Sequence, residues 1–295
     1  MENIHFFENA IVAISTKKID VTYLLEKLCD DVKSLFDVKD LIFSYIDKSG
    51  NEKIVKFSNC QLSEILEKSN KEKNGWVRGS LVINGSKSNK FIIRYSWNKF
   101  NRRKYDSIIK SNVSKHNEIS LHFDSSSIIS EEKKKQFISF CKNMSSLFQV
   151  DYLKAYSLKY DKRGQLGRPD LSNGIHDIYW LNIFGKPFVD IIGRDKLLNS
   201  PAYYVSEVDS ERILLQSCEK FCHHGEMSKS IILDTIRSYI GEQYFYKNIS
   251  RIDNESGVFS VSHLLKFLWA ASVINNDDKE KADICPTYFY ENMIY

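Results

Sequence analysis

The sequence predicts an α+β fold: two units of mainly antiparallel sheet with packed helices. Three observations carry that expectation. Short runs are rich in β-branched and aromatic residues, and two pairs of them flank turn-forming residues, as in β-hairpins. Longer segments repeat apolar residues at three- and four-residue steps, the period of an amphipathic helix. The two kinds of element mix without the strict alternation of strand and helix that a parallel sheet requires.

Taken in chain order, the first clear element is a helix over 20–36. Asp20 stands at its N-cap, and Val21, Leu24, Leu25, Leu28, Val32, Leu35 and Phe36 form one stripe. LIFSYIDKSGNEKIVKF follows and reads as a hairpin turning through Lys48-Ser49-Gly50-Asn51. Leu62, Ile65 and Leu66 mark a short helix over 61–68. WVRGSLVI and KFIIRYSW read as a second hairpin with a turn at Asn84-Gly85. The polar stretch 106–118 then divides a first unit, 1–115, from a second, 116–295.

The second unit opens with the strand ISLHF (119–123). A helix over 130–148 follows, with Glu131 and Glu132 in its first turn, where the helix dipole favours negative charge. DYLKAYSLKY (151–160) is a further strand, and AYYVSEV with RILLQSC a further hairpin. A helix over 228–240 stops at Gly241, and a last amphipathic helix is expected near 260–274.

Between these lies IHDIYWLNIFGKPFVDIIGRDKLLNSP (175–201). Residues 175–184 are apolar on both alternating faces, as in a strand covered on both sides. Asn182 is the one polar residue after Asp177, so it needs a backbone partner. Gly185-Lys186-Pro187 breaks the run, and proline suits a first helical turn. Phe188, Val189, Ile191, Ile192, Leu197 and Leu198 give the next helix its buried side. The glycines match neither GxGxxG nor a P-loop, so the segment reads as a buried strand-to-helix junction rather than a phosphate cradle.

The same segment resembles bacterial immunity proteins of polymorphic or type VI secreted toxins. The resemblance rests on Ile175, Ile178, Tyr179, Trp180, Asn182, Phe184, Gly185, Pro187, Phe188, Val189, Gly193, Arg194, Leu197, Leu198, Pro201 and Ala202, with Gly241, Glu242 and Phe245 further on. It covers about 119–250 and leaves 1–118 aside. It implies a non-enzymatic α+β protein that binds a protein partner.

Composition narrows the alternatives. The 295 residues are 42% hydrophobic and 13% aromatic, with 12 glycines and 4 prolines, so the chain is globular and long enough to bury its own core. Lys and Arg number 42 against 38 Asp and Glu. That balance is too even to indicate nucleic acid by itself. Cys29, Cys60, Cys141, Cys218, Cys222 and Cys285 are scattered and read as reduced thiols of a cytoplasmic protein. The opening MENIHFFENAIVAIST lacks the basic start of a signal peptide, and no apolar run approaches the roughly 18 residues of a membrane span. No membrane partner is expected.

Candidate sites fall into three groups. Arg163, Arg168, Asp170, His176, Arg194 and Glu207 are loop or loop-adjacent polar residues suited to contact a protein partner, since loops on a rigid scaffold carry recognition. His176 and Asp177 are adjacent; on a strand they would point to opposite faces and could not orient each other for acid–base work. Trp97, Lys99, Arg102, Arg103 and Lys104 interleave aromatic and basic groups, which neutralise phosphates and stack on unpaired bases. They define an alternative: a nucleic-acid-binding component of a bacterial anti-phage defence system. Cys218, Cys222 and His223 are the densest metal-capable group, but zinc needs about four ligands and no second knuckle is present. They define a second alternative, a metal-dependent enzyme. No HExxH, GxSxG or Walker motif appears, and no cofactor is expected. The leading expectation is a cytoplasmic immunity-type protein that neutralises a toxin or another protein partner.

Overall fold

In the computed structural model, the described residues are 9–15, 20–36, 41–47, 51–56, 62–69, 71–73, 76–84, 90–98, 117–123, 130–157, 177–220 and 227–245, with Ser49 and Ile175. The fold is α+β. Eleven described strands form one sheet whose paired neighbours are antiparallel.

The strands are β1 (Asn9–Ser15), β2 (Ile42–Ile46), β3 (Glu52–Lys56), β4 (Lys71–Lys73), β5 (Trp76–Asn84), β6 (Lys90–Asn98), β7 (Asn117–Phe123), β8 (Tyr152–Ser157), β9 (Leu181–Phe184), β10 (Tyr204–Asp209) and β11 (Arg212–Gln216). Their order across the sheet is β10-β11-β9-β8-β1-β7-β6-β5-β2-β3, with β4 beside β5. The helices are α1 (Val21–Phe36), α2 (Leu62–Ser69), α3 (Glu131–Leu147), α4 (Lys186–Ile192), α5 (Arg194–Leu198) and α6 (Met227–Ile240).

Sequence patterning missed β1, as it missed the short β4. NAIVAIS is buried at every position and pairs with β7 on one side and β8 on the other. A run apolar on both faces suits such a central position. Its placement bears on the expected boundary at 115/116. β6 pairs with β7 across that boundary, and β1, from the first half, lies between two strands of the second. The described strands are therefore hydrogen-bonded continuously across that position.

Register separates the two faces. Leu181, Ala155, Ile11, Leu121 and Ile93 lie in one row across five strands, all fully buried. This face packs against helices: α1 contributes Leu24, Leu25, Leu28, Cys29 and Val32, and Phe137 of α3 meets Phe123 at 5.4 Å between ring centroids. The opposite face carries a row of Ile14, Tyr152, Phe184 and Ile213. There Phe188 of α4 closes a ring cluster with Tyr152 and Phe184 at 5.7 and 6.2 Å. Each such fully buried side chain contributes roughly 1.5–3 kcal/mol relative to exposure.

Local signals set the helix ends. Asp20 accepts the backbone N–H of Tyr23 through Oδ1 at 3.1 Å, and Ser130 Oγ accepts that of Lys133 at 3.2 Å; such caps contribute about 1 kcal/mol each. In the first hairpin, Asp47 Oδ1 accepts the N–H groups of Ser49 and Asn51, which shapes the turn.

The 175–201 segment departs in part from expectation. Only Leu181–Phe184 forms a ladder strand, while Ile175 pairs with Phe245 in an isolated bridge. Asn182 explains the irregular approach. It is fully buried, and its side chain accepts from the Tyr179 N–H and the Tyr152 hydroxyl and donates to the Tyr179 carbonyl. The backbone therefore turns over Asn182 instead of continuing a ladder. The expected single helix is two, broken at Gly193, whose φ of 101° is readily adopted by glycine. Gly193 serves backbone conformation rather than close packing: an added Cβ would meet nothing nearer than Lys196 Cβ at 3.8 Å. The close approach occurs at Gly185, where a Cβ would lie 2.0 Å from the Val150 carbonyl oxygen.

The helix expected at 260–274 and the Asn84-Gly85 turn, in its second residue, lie outside the described residues. No helix among the described residues is long and apolar enough to cross a membrane.

Candidate partner-binding edge

β10 is a terminal strand of the sheet, paired among the described strands only with β11. Its residues are exposed or half-buried, Tyr204 and Glu207 being the exposed ones, as expected of a strand with one ladder partner among the described strands. The register shifts between Glu207 and Asp209. That bulge twists the edge, and Asp209 then organises the turn into β11. Its carboxylate accepts the Glu211 N–H at 2.9 Å, Arg212 Nη1 at 2.5 Å and the Ser146 hydroxyl of α3 at 3.2 Å. Partial burial pushes its pKa up, but these hydrogen bonds and the Arg212 charge outweigh it and hold the carboxyl below its ordinary value.

Arg194 and Glu207, both expected as surface contacts, meet here. Gly193 ends α4 and starts α5, so Arg194 is the first residue of α5 and reaches over the hairpin. Arg194 Nη2 pairs with Glu207 Oε1 at 2.5 Å, and Nη1 donates to the Ser210 carbonyl at 2.9 Å. About half of the Glu207 side chain remains exposed. The pair is therefore oriented on a rigid element while staying open to solvent. Such a pair contributes little to stability, about 0–1 kcal/mol, but presents both charges in fixed positions.

Two exposed tyrosines stand at the start of the same strand, and sequence reasoning did not single them out; Tyr204, paired with Gln216, faces the side of the sheet opposite Glu207, which pairs with Ile213. Tyr203 is 58% exposed and Tyr204 44%. Lys142 of α3 lies 5.9 Å from the Tyr204 ring. Tyrosine and arginine are enriched at the cores of protein interfaces, where an apolar ring with a polar tip gains from desolvation. The signal in the sequence was the adjacent Tyr-Tyr pair leading into a strand, which becomes informative only once that strand is known to be an edge.

A second polar group lies deeper. Lys154 of β8 is nearly buried; its Nζ donates to the Tyr179 hydroxyl at 2.9 Å and stands 4.6 and 4.2 Å from the Tyr156 and Tyr179 ring centres. A third group ties α6 to residue 177. Arg237 pairs with Glu242 at 2.9 Å and Asp177 at 3.7 Å and stacks on Phe245 at 4.8 Å. Both hold the scaffold together.

The remaining expected site residues divide as follows. Arg163, Arg168, Asp170 and His176 lie outside the described residues, as do Lys99, Arg102, Arg103, Lys104, Cys222 and His223. Trp97 is in β6, in register with Val77 of β5. Cys218 is buried just after β11. Among the described residues, no group of three or more His, Cys, Asp and Glu side chains could hold a metal ion.

Neither a protein-family model nor a characterised protein sequence matches the chain. A solved structure does. The Pseudomonas aeruginosa T6SS protein PA0821 superposes with a TM-score of 0.56, over 98% of this chain and 85% of that one, at 9% sequence identity. At that identity the likeness is one of fold.

Proposed function

We propose that this chain is an immunity-type binding protein of a type VI secretion system that neutralises a toxin protein without catalysing a reaction. The observation that carries the reading is the fold likeness to a T6SS protein along nearly the whole chain. The pattern at 175–202, which resembles toxin immunity proteins, supports it from the sequence side. The proposed contact surface is the β10 edge, with Arg194, Glu207, Tyr203 and Tyr204 as its anchors. Arg163, Arg168, Asp170 and His176 are proposed as further contacts.

An interface built this way would gain most from burying the two tyrosine rings and from fixed charges that select the partner. The test is co-expression with the product of the neighbouring open reading frame. The expected result is a stoichiometric complex and relief of that product's toxicity. Tyr203→Ala with Tyr204→Ala should weaken the complex at least tenfold, and Glu207→Arg should weaken it further by placing two cations side by side. A neighbouring product that is not toxic, or toxicity unchanged by this chain, would overturn the function. Full binding by both variants would overturn the surface alone.

A further inference from the structure

We infer that β3 is a self-association edge: two copies of this chain pair their β3 strands antiparallel about a two-fold axis at Ile54. Among the described strands, β3 lies at the end of the sheet opposite β10, with β2 as its one ladder partner. Ile54, at its centre, is 69% exposed, although β-branched side chains in a sheet normally pack against neighbours. Val55 turns to the other face and packs against the buried core. An exposed isoleucine on a terminal strand is the feature that protected sheet edges avoid.

The backbone fixes which residues can pair outward. The Asp47 N–H donates to the Asn51 carbonyl at 2.9 Å where the β2–β3 hairpin closes, so Asp47 and Asn51 form a hydrogen-bonded pair. Such pairs alternate along an antiparallel ladder. In the register Tyr45↔Lys53, Ser44↔Ile54 and Phe43↔Val55, the main-chain groups of Lys53 and Val55 therefore face β2. Those of Glu52, Ile54 and Lys56 point to the side away from β2. A second β3, set antiparallel with its Ile54 opposite the first, engages these three residues of both copies at once.

The strand EKIVK is complementary to itself in that register. Glu52 of each copy stands opposite Lys56 of the other, Lys53 opposite Val55, and Ile54 opposite Ile54. Acid meets base at both ends and isoleucine meets isoleucine at the axis, the pairings that stabilise neighbouring strands. Lysines on an edge strand usually keep other strands away. They would do so for a parallel partner in register, which sets Lys53 on Lys53 and Lys56 on Lys56. In the antiparallel arrangement no lysine faces a lysine, and the two-fold axis repeats every contact, as in isologous dimers. The pairing leaves a β10 strand at each far end of the joined sheet. On the function proposed above, and for this consequence alone, the dimer offers two partner-binding edges.

The test uses the intact chain alone, so its failure leaves the proposed function standing. One short strand buries less area than a standard interface, so the dimer is expected in exchange with monomer and abundant at high micromolar concentration. Sedimentation velocity over a dilution series should show that equilibrium; a monomer at every concentration would overturn the inference. Lys56→Glu sets like charges opposite each other at both ends and should weaken the dimer about tenfold. Ile54→Lys should act similarly at the axis. Dimerisation unchanged by both would overturn the edge. Exchanging the charges, Glu52→Lys with Lys56→Glu, restores acid against base and should return the affinity to near the wild-type value; no recovery would overturn the register. Where a variant does not fold, amide exchange of the wild type decides. The Ile54 N–H should exchange more slowly as the concentration rises, by more than those of Lys53 and Val55, which face β2. A rate at Ile54 independent of concentration would overturn the inference.

Discussion

The Trp180 indole N–H points at the backbone carbonyl of Cys218, 3.0 Å away, so the largest fully buried side chain among the described residues also joins the start of β9 to the end of β11. Its ring packs 6.0 Å from Phe137 of α3. Trp180→Phe keeps an aromatic ring but removes the donor and leaves unfilled volume. The Cys218 carbonyl would still accept from Gln216. The expected cost is about 2–3 kcal/mol in urea unfolding. A loss under about 1 kcal/mol would mean that the surroundings collapse onto the smaller ring.

Gly185 and Gly193 should respond differently to alanine. At Gly185 the new Cβ meets backbone atoms, Val150 O at 2.0 Å and Asp151 Cα at 2.8 Å, which do not yield as a flexible side chain would. Moving them apart also strains the Gly185 N–H to Asp151 O bond. Gly185→Ala should cost about 3 kcal/mol or more. Gly193→Ala finds open space but an unfavourable φ, at a cost of about 1–2 kcal/mol. Chemical denaturation of the two variants side by side checks the order.

His122 predicts a pH response. Burial, reinforced by the Arg94 charge, pushes its pKa down to about 4 from an ordinary 6.5. The unfolded chain takes up a proton below pH 6.5 that the folded chain refuses until about pH 4. Stability from this group is therefore complete above pH 6.5, falls as the pH drops from 6.5 to 4, and is flat below. The loss should be about 3 kcal/mol. Unfolding free energies of wild type and His122→Gln across that window should differ in slope. Parallel slopes would remove His122 as the cause.

The fragment 116–295 should not fold alone. It lacks β1, so β7 and β8 would face a gap in the sheet and expose the row containing Leu121 and Ala155. Circular dichroism and proton NMR of the fragment should show an uncooperative state. Adding a peptide of residues 9–15 at high concentration should restore order if the missing strand is the reason.

Elements whose own residues carry the signal were legible in the sequence. The stripe of α1, the turn at Asp47–Asn51 and the acidic first turn of α3 each follow from neighbours within a few positions. β1 was not, because a short run buried on both faces has no alternation to mark it as a strand. The irregular 177–180 was hidden for a related reason. One buried amide, that of Asn182, redirects the backbone, and nothing local distinguishes it from a capped ladder residue. Arg194 and Glu207 were each readable as surface groups. Their pairing was not, since it depends on α5 lying across the β10 hairpin. The exposure of Tyr203 and Tyr204 likewise depends on which strand ends the sheet.

The Ser15 hydroxyl at the end of β1 donates to the Gln149 carbonyl across 134 positions of chain. A ribosome releases β1 long before either of its neighbours has been synthesised. Its seven apolar-rich residues must therefore wait, unpaired, until β7 and then β8 emerge. Assembly of the first half during translation cannot close the sheet, and long-range pairing of this kind is slow and exposed to aggregation. Nascent chains of this protein should thus depend on a holding chaperone until β8, which ends just past the middle of the chain, has emerged.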